Sequence, residues 1–140
     1  MIKISVCDDD EGQLTFFKQC FMEYNEKHKE KIEANFYQSV QSLLNEKKFS
    51  PDVYFLDIEL QDGNGLKLAG KIRTRNSKIP IVFITSHEEF MPEAFHVHAY
   101  QYLNEKKNAQ AVENVLNQLA DYFSEQNQIF SFQTYGEMIS

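Results

Sequence analysis

The sequence predicts an α/β fold, a doubly wound five-stranded parallel sheet with helices on both faces. Three observations carry this reading. Short β-forming runs alternate five times with stretches whose apolar residues recur at helical spacing. One of those runs, Val53-Tyr54-Phe55-Leu56, is fully apolar without polar alternation, as a central strand covered on both faces is. The chain has 140 residues, 42% of them hydrophobic, which suits one domain with its own core and argues against disorder.

Each element has its own signal. Ile2 to Val6 is a short apolar strand, and Asp8 to Gly12 turns the chain. Asp10, with Gln13 three residues on, forms a capping-box pattern ahead of Leu14, Phe17, Phe21 and Tyr24. Ile32 to Phe36 is the second strand, and Val40, Leu43 and Leu44 mark the second helix. After the central strand at Val53, a Gly-containing loop from Asp62 to Gly65 leads into a helix carrying Leu66, Ala69 and Ile72. Pro80 opens the fourth strand, a position where its missing donor is tolerated. A short helix spans Glu88 to His96, with Pro92 in its first turn, followed by a strand at Tyr100 to Leu103. The last helix starts near Asn108, with Val112, Val115, Leu116, Leu119 and Phe123 on one face. Ile129, Phe130, Phe132, Tyr135 and Met138 then read as strand, which divides the chain into a domain at 1–124 and a linker with the start of another domain at 125–140.

Composition excludes several function classes. A net charge of −7 makes this segment a poor nucleic-acid binder, because phosphate contacts need a basic face. No apolar run approaches the ~20 residues that span a bilayer, and Met1 leads into no signal peptide, so a cytoplasmic location without membrane contact is expected. Cys7 and Cys20 read as free, inert packing thiols. His87, His96 and His98 read as surface or loop residues without a metal role.

Ligand chemistry in doubly wound sheets sits beyond the carboxyl ends of the strands. Here the first strand ends in Asp8, Asp9 and Asp10, the third in Asp57, and the fourth in Thr85 and Ser86. Carboxylates brought together repel by several kcal/mol (about 4 for unit charges ~4 Å apart at an effective dielectric near 20), so they need protons or a cation. An oxygen-only set suits Mg²⁺, and no His/Cys set for zinc is present.

Val6-Cys7-Asp8-Asp9-Asp10, Phe55-Leu56-Asp57-Ile58-Glu59-Leu60 with Gly63-Asn64-Gly65, and Val82-Phe83-Ile84-Thr85-Ser86 together resemble bacterial response-regulator receiver domains, the CheY-like, flavodoxin-like group. The match runs from residue 2 to about 123, and its specificity lies in the ordered set rather than in the Asp pair alone. The resemblance implies strand order 2-1-3-4-5 and a phospho-accepting, non-enzymatic switch with at most slow self-dephosphorylation. Asp57 would be the phosphoacceptor. Asp9 and Asp57 would bind Mg²⁺, with Asp8 acting partly through water and the Glu59 backbone carbonyl as a further ligand. Thr85 would be the switch hydroxyl and Tyr102 the switch aromatic. The implied partners are a sensor histidine kinase, a second copy in a homodimer, and DNA only through a separate output domain. Receivers of this kind carry a Lys-Pro pair after the fifth strand, whereas Glu105 and Lys106 stand there. Lys106 is the candidate replacement. Thr85-Ser86-His87 and Ala99-Tyr100-Gln101-Tyr102-Leu103 add a resemblance to regulators with a LytTR DNA-binding domain (AgrA/AlgR-like), whose output domain the tail from Ile129 would open.

Glu105 motivates a receiver-like interaction module regulated without phosphorylation. Asp8 and Asp10, two apart after the first strand, motivate a small aspartate-nucleophile phosphatase, although no Thr follows at Glu11 or Gly12.

Overall fold

The computed structural model describes residues 1–104 and 107–139. Five parallel strands form one sheet: β1 (Ile2–Cys7), β2 (Ile32–Tyr37), β3 (Val53–Asp57), β6 (Ile81–Ile84) and β7 (Gln101–Leu103), in the order β2-β1-β3-β6-β7. Numbered by strand–helix unit, this is the expected 2-1-3-4-5. The helices α1 (Glu11–Lys27), α2 (Val40–Asn45), α3 (Gly65–Arg75) and α4 (Met91–His96) connect them, and α5 (Ala109–Ile139) follows the last strand. A 3-10 turn at Glu88–Phe90 leads into α4, with Pro92 in the first turn as expected.

Caps explain where the helices begin. Asp10 accepts from the Gly12 N–H at 2.8 Å, Ser39 and Ser42 form a reciprocal box at α2, and Asn64 accepts from Leu66 N–H at 2.7 Å. Asp62 adds a cap that is not local. It accepts from Val40 and Gln41 N–H at 2.9 and 3.1 Å, and these bonds hold its carboxyl below the usual range.

The sheet separates two cores. On one face Val6, Phe55, Val82 and Ile84 pack against α1 and α5. There Phe55 meets Phe17 and Phe21 edge-on, each at 5.8 Å between ring centroids. On the other face Leu56, Ile81 and Phe83 pack against α2, α3 and Ala94 of α4. Burial on both faces accounts for the uninterrupted apolar runs of β3 and β6.

Two features differ from the sequence reading. The segment between β3 and α3 is not a plain loop but a two-stranded antiparallel hairpin, β4 (Glu59–Leu60) with β5 (Gly63–Asn64). Strands two residues long carry no periodicity to read. The expected strand after Ile129 is corrected to helix, since α5 runs unbroken to Ile139. Once nucleated, a helix propagates at little cost, and the aromatic and β-branched residues there lower helix propensity by only a few tenths of a kcal/mol each.

Candidate functional site at the carboxyl ends of β1, β3 and β6

Register brings the three strand ends together. Cys7 of β1 pairs with Leu56 of β3, and Asp57 of β3 pairs with Ile84 of β6. Asp8, Asp57 and Thr85 therefore emerge side by side, 2%, 4% and 8% exposed. Asp9 is half-buried beside them. One carboxylate oxygen from each of Asp8, Asp9 and Asp57 lies within 4.8 Å of the others.

Backbone donors orient these carboxylates without neutralising them. Asp8 Oδ1 accepts from Asp10 N–H at 2.9 Å, Asp57 Oδ1 from Glu59 N–H at 3.2 Å, and Asp9 Oδ2 from Gln61 N–H at 3.1 Å. The β4–β5 hairpin thus holds both Asp57 and Asp9. Asp8 Oδ2 is buried and has no hydrogen-bond partner among the described residues. Burial raises the Asp8 pKa from 3.8 to about 6; the hydrogen bond from the Asp10 backbone offsets this in part, and the Asp9 and Asp10 charges add to it. An orphaned buried carboxylate oxygen beside two more carboxylates fits a hard divalent cation such as Mg²⁺.

A consequence can be measured. A proton and a cation compete for Asp8, and near pH 5 a group with pKa about 6 is roughly nine-tenths protonated. Mg²⁺ affinity is expected to fall by up to about tenfold between pH 7.5 and 5, by calorimetric titration at the two pH values. A pH-independent affinity would remove Asp8 from the cation site.

Thr85 and Tyr102 face the next layer. Thr85 Oγ1 accepts from His87 N–H at 3.0 Å, which leaves its own hydroxyl hydrogen to donate elsewhere. The Tyr102 hydroxyl donates to the Met91 carbonyl at 2.9 Å, tying β7 to the start of α4. Glu59 opens β4 beside Asp57, its side chain exposed. Glu105 and Lys106 lie outside the described residues. Of the phosphatase reading's pair, Asp10 is committed to capping α1. Cys7 is packed as expected: its thiol lies 3.4 Å from the Ser39 carbonyl, and burial together with the nearby aspartates pushes its pKa to about 12.

Sequence reasoning missed two neighbours of the site. His87 Nε2 lies 3.6 Å from Glu59 Oε1 and its Nδ1 lies 3.3 Å from Glu89 Oε1, so the imidazole bridges the hairpin and the turn before α4. Lys107 Nζ stands 3.4 Å from where a Cβ on Gly12 would be, at the start of α1. The two segments in each case are far apart in sequence, and nothing local announced either approach.

Comparison with known proteins agrees with this geometry. The family model described as the response regulator receiver domain matches residues 4–117. An uncharacterized response regulatory protein of Yersinia pestis is 29% identical over 120 residues, covering 86% of this chain and 49% of that protein. The sensory transduction protein LytR of Staphylococcus haemolyticus is 32% identical over 95 residues, covering 68% of this chain and 36% of the relative. The chain thus spans half or less of the length of these relatives. Among solved structures, the BeF3-activated DrrB receiver domain superposes with a TM-score of 0.74 at 19% identity, covering 86% of this chain and 98% of that one. TrrA of Thermotoga maritima, solved in complex with Mg(2+)-BeF, superposes at 0.72 with 21% identity, covering 85% and 99%.

Proposed function

Because the chain belongs to the response regulator receiver domain family, we propose that it is a phosphorylation switch in which Asp57 takes a phosphoryl group from a sensor histidine kinase. The observation that carries this reading is the cluster of Asp8, Asp9 and Asp57 oxygens within 4.8 Å, with no partner for Asp8 Oδ2 among the described residues.

The chemistry follows from what the chain supplies. An Asp57 carboxylate oxygen attacks the phosphorus of a phosphohistidine. The P–N bond breaks, the imidazole nitrogen leaves with the bonding pair and takes up a proton, and an acyl phosphate remains on Asp57. Phosphoryl transfer needs positioning and charge neutralisation more than covalent help. Asp9 and Asp57, the Glu59 carbonyl, and Asp8 partly through water would hold Mg²⁺, which when bound would supply that neutralisation. The Glu59 N–H fixes the Asp57 carboxylate and the Gln61 N–H fixes that of Asp9. The product carries roughly −1.5 to −2 charge, toward which the Thr85 hydroxyl donates. Because Thr85 Oγ1 also holds the His87 N–H, a shift of Thr85 is transmitted to the turn leading into α4, at whose first residue the Tyr102 hydroxyl is bonded. Lys106 is the residue we assign to the role of the usual lysine.

The same reading places the protein in the cytoplasm, as a monomer or homodimer, with DNA reached only through an output domain. The LytR relatives, whose names include a transcriptional regulatory protein, favour a LytTR-type output. Among the described residues no helix is long and apolar enough to cross a membrane.

Acetyl phosphate with Mg²⁺ is the test. Intact-mass measurement is expected to show a gain of one phosphoryl group that is lost in Asp57→Asn and on chelation of the metal. No adduct under several conditions would count against the switch. Glu105 at the lysine position supports the second reading, a module regulated without phosphorylation. Partner binding or dimerisation that proceeds unchanged in wild type, phosphorylated wild type and Asp57→Ala would favour it.

A further inference from the structure

At the opposite end of the sheet from Asp57, α2 stops at Asn45 after six residues, and the chain from Glu46 to Asp52 crosses to β3 as irregular backbone. The short helix leaves the start of β3 incompletely covered, and a cavity of about 580 Å³ opens between α2 and α3. Its volume lies in the range of small-molecule sites. Leu43, Phe49, Tyr54, Ile72 and Ile79 give it an apolar and aromatic wall, and Tyr54 is only half-buried although it belongs to the central strand.

Charge gives the cavity a sign. Lys47, Lys71 and Arg75 line it against a single carboxylate, that of Glu46. Glu46 is turned onto its own loop, where Oε1 accepts from the Lys48 and Phe49 N–H groups at 2.9 and 3.0 Å. Among the described residues, none of these three cations has a carboxylate within ion-pair distance. Arg75 is near enough to Tyr54 to oppose the rise that burial imposes on the phenol's pKa. A cationic, aromatic-walled cavity on a chain of net charge −7 is a local reversal of the protein's field.

We propose that this cavity binds a small, flat aromatic anion, a carboxylate or sulfonate of one or two fused rings. The rings stack on Phe49 and Tyr54 while the acid group meets Lys71 and Arg75. This site is separate from the phosphoacceptor and stands independently of the proposed function.

The probe is naphthalene-2-sulfonate, titrated into the folded protein and followed by its fluorescence and by backbone amide shifts. Saturable one-to-one binding is expected, with shifts confined to residues 43–54 and 71–79. Uncharged 2-naphthalenemethanol should bind more weakly, and the double variant Lys71→Glu/Arg75→Glu should lose about tenfold or more in affinity for the sulfonate. Both positions are exposed on α3, so the variant should keep its melting temperature and its acetyl-phosphate labelling at Asp57. The proposal is overturned by absent saturation, equal binding of the neutral probe, indifference to charge reversal, or shifts centred on exposed Met91 and Phe95. Concentration-dependent shifts of the cavity residues without probe would equally overturn it, by assigning the cavity to a second copy.

Discussion

Gly65→Ala is expected to destabilise the protein by several kcal/mol and to abolish Mg²⁺-dependent phosphorylation of whatever fraction folds. The reason is space, not backbone freedom, since no glycine among the described residues has a positive φ. A Cβ on Gly65 would stand 2.1 Å from the Asp57 carbonyl oxygen, 2.9 Å from its carbon and 3.0 Å from Ile58 Cα. All three atoms are backbone, so no side chain can swing aside. Relief requires moving α3 away from the Asp57–Glu59 turn, and that turn carries the Asp57 carboxylate and the N–H that orients it. The Gly65 N–H to Ile58 carbonyl bond, 2.9 Å, would stretch with it. Gly70, in the same helix, is the internal control. A Cβ there meets nothing within 4 Å, so Gly70→Ala should stabilise by about 0.5–1 kcal/mol through helix propensity. Thermal melts of the two variants therefore move in opposite directions. If Gly65→Ala melts with the wild type and still accepts phosphoryl groups, the close approach of α3 is not what fixes Asp57.

Asp8→Asn is expected to make the metal-free protein more stable while weakening the cation site. Asp8 has a folded-state pKa of about 6 against 3.8 in the unfolded chain, so the fold binds its proton more tightly. For a raised carboxyl, the stabilisation from that proton is complete below about pH 4 and is lost as pH rises through about 6. At pH 7.5 the ionised, nearly fully buried carboxylate costs on the order of 3 kcal/mol. Asn removes the charge, keeps an oxygen for the Asp10 N–H, and turns an amide toward Asp57. The metal-free variant should melt several degrees higher than wild type at pH 7.5, and the difference should shrink toward pH 4.5. Mg²⁺ should then raise the wild-type melting temperature and leave the variant nearly unmoved, with affinity reduced about 10–100-fold, as for loss of an outer ligand. A variant less stable than wild type at pH 7.5 without metal would mean that the carboxylate is not under strain.

The fold was legible because its signals are local. Five apolar runs, their helical partners and the cap at Asp10 lie within windows of a few residues, and double-sided burial marks β3 and β6 by lack of alternation. The site was legible for the same reason plus one rule: parallel strands end together, so residues just after Cys7, Leu56 and Ile84 had to meet. What escaped is what the chain assembles at a distance. The Gln61 N–H reaches Asp9 from 52 residues away, Asp62 caps a helix 22 residues upstream, and His87 bridges Glu59 and Glu89. The need for glycine at 65 is set by Asp57 backbone that no local pattern reveals. The tail failed for the opposite reason. Local propensity from Ile129 onward favours strand, and the helix already running from Ala109 prevails.

The account rests on a phosphoryl group joined to one carboxylate, and trapping that bond tests it most directly. Borohydride reduces an aspartyl phosphate to homoserine, marking the modified residue covalently. After acetyl phosphate, Mg²⁺ and borohydride, peptide sequencing is expected to find homoserine at position 57 and nowhere else, and none when the metal is chelated. Homoserine at Asp8, Asp9 or Asp10, or an unmodified Asp57 in protein that has gained a phosphoryl group, would contradict it.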